Sequence, residues 1–362
     1  MTTTFDTAAT RRLGIAWPII QGPFGGGLST PLLTATVSNL GGMGSYGAHV
    51  LAPSDIGRVT AQIRQQTTQP FALNLWISDH DPGGAQLDND AFEATYALFA
   101  PYFEALGVHK PAMPAYYHPP YAEQVDALLE AAPPVFSFVF GVPSKSVLAA
   151  CRHRGILTLG AATSVAEAQL LESSGVDLIV ATGFEAGGHR PSFLAPAEES
   201  LTGTLALVQL VSDRVTIPVI AAGGIADARG IRAALTLGAA AAQIGTAFLA
   251  CEESGTSDAH RAALFGDGAF HTTLTRSFTG RLARGIRNHW TDAVAKNGHP
   301  SAPFPVQSWF LSQLKAAAVA QGRTDLVSLW SGQIAPNLRH RRAADLMHAL
   351  KSGLTGTLTA AG

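Results

Sequence analysis

Two glycine-bearing segments of this chain have the composition to hold a phosphate with backbone alone. In Ile217-Pro-Val-Ile-Ala-Ala-Gly223-Gly224-Ile-Ala-Asp227, an apolar run enters a glycine pair and leaves into a helix start. Bare N–H groups and the positive end of a helix dipole then converge on one spot, which stabilises an anion without a lysine. One crossover later, Ala242-Gln243-Ile244-Gly245-Thr246 ends a second run with another glycine and a hydroxyl donor. The competing reading is that these glycines only make tight strand-to-helix turns; their presence at both places favours phosphate binding.

A third segment, Thr182-Gly-Phe-Glu-Ala-Gly-Gly-His-Arg190, brings chemistry of another kind. A histidine behind two glycines lets the backbone approach a ligand, and its imidazole suits proton transfer or hydrogen bonding to an oxyanion. Thr182, Gly187 and Gly188 are therefore candidates for cofactor contact and His189 for catalysis. Glu185 and Arg190 are as consistent with an ion pair fixing the loop as with a ligand contact.

Such groups need a scaffold that presents strand ends on one rim. Between Pro18 and Cys251, short β-branched runs alternate with helical patterns, the sign of parallel strands joined by crossover helices. Eight runs are legible: Pro18–Pro23, Gly42–Ala48, Phe71–Ile77, Val135–Gly141, Ile156–Ala161, Asp177–Gly183, Pro218–Gly223 and Ala241–Phe248. Eight is the strand number of the TIM (β/α)8 barrel, whose last two strand-end loops commonly hold a phosphate. Helix ends agree: Thr163-Ser164 and Asp227 read as N-terminal caps, and Gly175 and Gly238 as stops. The expected organisation is α/β, with a barrel over residues 1–255 and a mostly helical extension over 256–362 packed on it. The extension includes helices near Ser308–Gln321 and Leu338–Lys351. A long insertion after the third strand, about 78–121, falls on the active-site rim and reads as a wall or lid.

Bulk composition narrows the partners. Of 362 residues, 47% are apolar and 14% charged, enough for a large core. Lys plus Arg number 24 against 26 Asp plus Glu, so no basic footprint for nucleic acid exists. The apolar runs are too short for a membrane span, and Met1 to Arg12 lacks the apolar stretch of a signal peptide. Cys151 and Cys251 form no disulfide framework and have no partners at metal-ligand spacing, so both read as core filling and no metal is expected. A cytoplasmic small-molecule enzyme, monomer or homodimer, is the expectation.

Taken in order, the motifs resemble those of the flavin-dependent nitronate monooxygenases, formerly called 2-nitropropane dioxygenases. The resemblance rests on Pro18-Ile-Ile-Gln-Gly-Pro23, Asn74 in Ala-Leu-Asn-Leu, Glu185-Ala-Gly-Gly-His189, Ala221-Ala-Gly-Gly-Ile225 and Gln243-Ile-Gly-Thr246. It continues into Ser277-Phe-Thr-Gly-Arg-Leu-Ala-Arg-Gly-Ile-Arg-Asn288 and Trp330-Ser-Gly-Gln333, and so covers most of the chain. It implies FMN, with the phosphate on Gly223, Gly224, Gly245 and Thr246. Gln21, Gly22 and Pro23 would lie along the isoalloxazine ring, Asn74 and Gln243 would hydrogen-bond the cofactor, and Gly332 and Gln333 would close over it. For Asn74 and Gln21, strand-end polar groups satisfied by the protein itself are the alternative.

The chemistry so implied is oxidation of an alkyl nitronate, or a nitroalkane, with O2 to a carbonyl compound and nitrite. His189 would contact the nitro oxygens and serve as base for a neutral substrate. The chain departs from the family pattern at Ala161, Thr182 and Phe304, where a more polar residue or a tyrosine is common, and at Pro191, where glycine commonly follows His-Arg. Arg281, Arg284 and Asn288 read either as a substrate or loop-fixing cluster or as an ion-pair network. An NAD(P)H-dependent flavin reductase for enoyl thioesters or quinones on the same barrel is the nearest alternative. A cofactor-binding barrel without catalysis is a more distant one.

Overall fold

The computed structural model describes residues 5–78, 81, 89–297 and 301–356. The first four residues of the N-terminal segment and most of 79–88 in the rim insertion lie outside the described residues. The barrel strands are β1 (Ile19–Gln21), β2 (Gly44–Gly47), β3 (Phe71–Trp76), β4 (Val135–Val139), β5 (Leu157–Ala162) and β6 (Leu178–Thr182), then β8 (Val219–Ala222) and β9 (Ala241–Ile244). A two-residue strand, β7 (Gly188–His189), intervenes outside the barrel. The eight barrel strands pair in parallel in the order β1-β9-β8-β6-β5-β4-β3-β2. Closure comes from Met43 N donating to Ile19 O and Gln21 N to Met43 O, at 3.0 and 2.9 Å.

Strand alternation explains why the runs read as continuously apolar. Ile20, Ala72, Leu178, Val180, Ile220 and Ala241 fill the barrel interior, while Ile19, Leu73, Ile179 and Ala221 pack outward against the helices. The same parity carries Asn74, Thr182 and Gln243 to the inward side at the carboxyl ends of their strands. Cys151 and Cys251 are both buried in the outer layer. The helix caps form as expected: Ser164 Oγ accepts from Glu167 N, and Asp227 Oδ1 accepts from Arg229 N and Gly230 N. Among the described residues, no helix is long and apolar enough to cross a membrane.

Two expectations need correction. The last run does not continue as a strand to Phe248: β9 ends at Ile244, Gly245 breaks the chain direction, and Thr246–Leu249 is a single helical turn. The extension is also not solely helices and loops. It carries an antiparallel hairpin, β10 (Thr272–Thr275) and β11 (Ala283–Ile286), and β11 pairs with β7, so that Ala283 faces His189 and Arg284 faces Gly188. The helix expected over Ser308–Gln321 spans Val306–Ala320, and that expected over Leu338–Lys351 spans Ala343–Thr355.

The rim insertion and the extension share one apolar core. Phe92, Phe99 and Phe103 of the helix Asn89–Ala105 pack with Trp290, Phe310 and Leu314 of the extension. Phe99 stacks on Phe310 with ring centroids 5.2 Å apart. These two segments, far apart in sequence, therefore share one core.

Candidate active site

The glycine loops expected to hold phosphate lie at the carboxyl end of the barrel, and their shape is enforced from behind. Gly223 and Gly224 have φ of +109° and +69°, in the region that favours glycine. Glu185 supports the turn: its carboxylate accepts from Thr204 N at 3.0 and 2.9 Å and from Thr204 Oγ1 at 2.9 Å. It thereby caps the helix Thr204–Ser212 rather than pairing with Arg190. On the other side, Thr246 Oγ1 accepts from Gly332 N at 2.9 Å, and Gln333 N donates to Glu185 O at 3.0 Å. Gly332 is thus fastened across the two loops, and Gly187 must lack a side chain because a Cβ there would meet Gly332 N at 2.5 Å.

Arg190 answers neither expectation for it. It is 1% exposed, and its guanidinium donates to the carbonyls of Thr182, Gly183 and Ser200 at 3.1, 2.6 and 2.6 Å. Burial lowers its pKa to about 10, against the favourable charge of Glu167. Its role is to hold the strand-six loop in place. Arg284 does similar work from the hairpin, donating to Phe184 O and Thr272 Oγ1. Asn288 donates to Thr324 O and Val327 O within the extension. The three residues Arg281, Arg284 and Asn288 are therefore not one network.

The remaining candidates divide. Gln21 is fully buried, with Oε1 accepting from Ser45 N at 2.9 Å and Nε2 donating to Gly22 O. Asn74 donates Nδ2 to Ser137 Oγ at 3.0 Å. Both amides are thus tied to neighbouring strands, which fixes their aim and commits much of their bonding capacity to the protein. Gly22 lies against Gly245, since a Cβ on it would fall 3.4 Å from Gly245 Cα. Pro23 and Gln243 lie at the same rim, half-buried. Thr182 is buried, its hydroxyl reaching Val180 O at 3.4 Å. Gln333 reaches the site through its backbone, while its side chain is exposed.

His189 lies on β7, in the loop whose Gly183 and Ala186 pack against Gly223. Its ring meets the Trp76 indole edge-on at a centroid distance of 4.6 Å, with Trp330 at 5.2 Å and Phe140 at 6.4 Å. A Cβ at Gly188, φ +75°, would meet no protein atom within 4 Å, so the backbone beside the histidine borders open space. Burial, followed by the charge of Arg281, lowers the His189 pKa to about 3, so the imidazole is neutral. Nε2 lies 2.9 Å from Thr279 Oγ1, whose own proton goes to Arg281 O at 3.3 Å. Thr279 thereby fixes the ring through Nε2, and Nδ1 is the nitrogen left for the site.

Thr279→Val should therefore lower kcat for a proton-abstracting turnover by about tenfold through loss of ring orientation. Thr279→Ser should restore it, with cofactor content unaltered in both. Steady-state rates beside absorbance ratios check this, and a valine variant at parental rate would remove Thr279 from the positioning role.

Several residues of this wall were not singled out in the sequence. Trp76 follows Asn74 at the end of β3, and His49 follows β2 and stacks on Trp76 at 3.8 Å with planes 7° apart. His118, from the insertion, stacks with His49 at 6.1 Å. The signal available for Trp76 and His49 was the one used for His189: a functional side chain just past a strand's carboxyl end.

Fold and site together define a (β/α)8-barrel enzyme with positive-φ glycine turns at the carboxyl end of the barrel and a neutral, oriented histidine. Comparison with known proteins gives the family. The family model described as nitronate monooxygenase matches residues 6–352. Nitronate monooxygenase of Paraburkholderia phytofirmans is 41% identical over 346 residues, covering 94% of this chain and 93% of that one. The enzyme of the same name from Pseudomonas aeruginosa is 41% identical over 351 residues, covering 96% and 99%. Among solved structures, nitroalkane oxidase from Streptomyces ansochromogenes superposes with a TM-score of 0.86 at 34% identity, covering 96% and 98%. FabK from Thermotoga maritima does so with 0.73 at 26%, covering 97% and 96%. The chain belongs to the nitronate monooxygenase family and is an oxidoreductase by that membership.

Proposed function

We propose that the protein binds FMN and oxidises alkyl nitronates with O2 to a carbonyl compound and nitrite. The observation that carries this reading is a neutral His189, held by Thr279 beside an aromatic wall, in the loop that packs against the positive-φ turn at Gly223. The residues fit the cofactor on structural grounds. Gly223 and Gly224 turn with positive φ at the start of a capped helix, and Gly188 borders open space. Gly223, Gly224, Gly245 and Thr246 would hold the phosphate, and Gln21, Gly22, Pro23, Asn74 and Gln243 would border the ring. When bound, FMN supplies the redox chemistry and the reaction with oxygen.

The chain's own residues then bind, orient and exclude water. Trp76, Phe140 and Phe304 form a buried apolar cluster beside His189. In such surroundings a hydrogen bond from the imidazole to a nitro oxygen is strong, because water does not compete. An imidazole whose pKa is near 3 is a poor base for a carbon acid, since efficiency peaks when the base's pKa is close to the working pH. A nitronate has already lost that proton. The site therefore favours nitronates, with neutral nitroalkanes as slow substrates.

The test is oxygen uptake and nitrite release by FMN-loaded protein given propionate 3-nitronate, beside anaerobic bleaching by NADH or NADPH. Uptake with stoichiometric nitrite is the expected result. Rapid bleaching by a nicotinamide without nitrite release would replace this reading with the reductase, and protein that cannot be loaded with FMN would remove both.

A further inference from the structure

Charge balance at the site points to a residue that the reaction so far leaves unused. A nitronate is an anion, and burial holds His189, His118 and His49 neutral, so none of the three compensates it. Arg281 is the cation that acts on all three. Its guanidinium lies 3.7 Å above the Phe140 ring, 4.8 Å from Phe304 and 5.9 Å from Trp76, the same rings that wall His189. Its backbone N–H donates to Thr279 Oγ1, the atom that orients the histidine.

The side chain is 15% exposed and ion-paired through one arm to Asp81 Oδ1, itself 10% exposed. The pair is incompletely bonded: Arg281 Nε and Asp81 Oδ2 are both buried with no hydrogen-bond partner among the described residues. A buried donor left unmade costs free energy until a ligand completes it. Stacking on Phe140 leaves the guanidinium edge available while its faces are covered.

We infer that Arg281 holds the anionic head of the substrate through this unmade donor, and that Asp81 opposes it by competing for the same guanidinium. The inference deepens the nitronate reading and rests on it for the identity of the anion. It makes the Arg281–Asp81 pair a specificity device: a planar oxoanion is preferred to a neutral nitro compound because it alone exchanges charge with the pair.

The two variants separate this role from a structural tie by sign. Binding of nitrite, a planar oxoanion, and of neutral nitroethane to anaerobic FMN-loaded protein is measured by calorimetry. Arg281→Gln should weaken nitrite by about 10- to 100-fold while changing nitroethane much less, and Arg281→Lys should recover part of the loss. Asp81→Asn should tighten nitrite by about threefold. If the pair merely fastens the insertion to the hairpin, both variants weaken both ligands, and that result overturns the inference. Parental nitrite affinity in Arg281→Gln overturns it as well. Should Arg281→Gln fail to fold, the sign of the Asp81→Asn change decides alone. Because nitrite binding is read without turnover, absence of nitrite release from a nitronate would remove the proposed reaction and leave this measurement intact.

Discussion

His189→Asn should lower turnover of a neutral nitroalkane by about 10²-fold, the low end of the range for a positioned general base, because a pKa near 3 makes this one weak. Turnover of the corresponding nitronate should fall by only about tenfold, the worth of one hydrogen bond to a charged group. The divergence follows from what asparagine keeps. Its amide can still donate to Thr279 Oγ1 or to a nitro oxygen, but it has no lone pair basic enough to take a proton. The pH profile carries the same information. The His189 pKa lies near 3 in the folded protein, below its ordinary value of 6.5, so the ring is neutral throughout the range above about 3. Nitroalkane kcat/KM should then show no acid limb near 6.5. The linked stability has a definite sign. As pH falls below 6.5 the unfolded chain binds a proton that the folded chain refuses, so stability drops until the folded pKa near 3 is reached. His189→Asn should flatten that drop in urea-unfolding midpoints. Initial rates with both substrate forms decide the catalytic point: equal losses would make His189 a binding residue with no role as base.

The contrast between His189 and its supports shows what a single sequence discloses. The histidine, the glycine loops and the eight strands are written in local patterns of a few residues: two glycines before a histidine, a capped helix after a glycine pair, period-two burial. The supports are not local. Thr279 meets His189 across 90 residues, and Glu185 caps a helix 19 residues away with a carboxylate that looked equally suited to an ion pair. Nothing in Ser277-Phe-Thr-Gly-Arg281 specifies that it returns as a hairpin to pair with Gly188-His189. Phe278 and Ile286 beside that turn enter the core shared by Phe99, Trp290 and Phe310, whose helices read separately as a rim segment and an extension. The run Ala241–Phe248 failed for a different reason. Its apolar content is uniform across strand and helical turn, and periodicity does not divide a buried stretch that short.

The departures from the family pattern become physical in the same way. Phe304 stands in the aromatic cluster with Trp76 and Phe140, and Ala161 is buried in the barrel interior. Where a tyrosine would offer a hydroxyl, this wall offers ring faces, and its polar groups are those of His49, His118 and Arg281 instead. If Arg281 holds the substrate's anionic head as inferred above, preference is set here by a cation stacked on aromatic rings.

Gly223→Ala should weaken FMN by about 100-fold and leave riboflavin, which lacks the phosphate, bound as in the parent. Two effects coincide at this position. The φ of +109° is strained for any residue with a Cβ, at roughly 1–3 kcal/mol. The added methyl would also lie 2.8 Å from Thr204 Oγ1 and 3.1 Å from Ala186 N. Relief of the contact must move Thr204, and Thr204 is held by both oxygens of Glu185, so the disturbance reaches the carbonyl that accepts from Gln333 N. The N–H groups proposed to hold the phosphate would tilt away while Gln21 and Asn74, proposed to border the ring and tied to distant strands, keep their place. Gly224→Ala separates strain from clash. Its φ of +69° carries the smaller left-handed cost of roughly 1–2 kcal/mol, and its methyl would come no closer than 3.7 Å to the protein, at Glu185 Cβ. A loss of FMN as large in Gly224→Ala as in Gly223→Ala would mean that the ligand itself fills the space beside Gly224. Fluorescence titration of the apoprotein with FMN and riboflavin, with thermal unfolding as the check on folding, measures each term. Parental FMN affinity in Gly223→Ala would move the phosphate out of this cup.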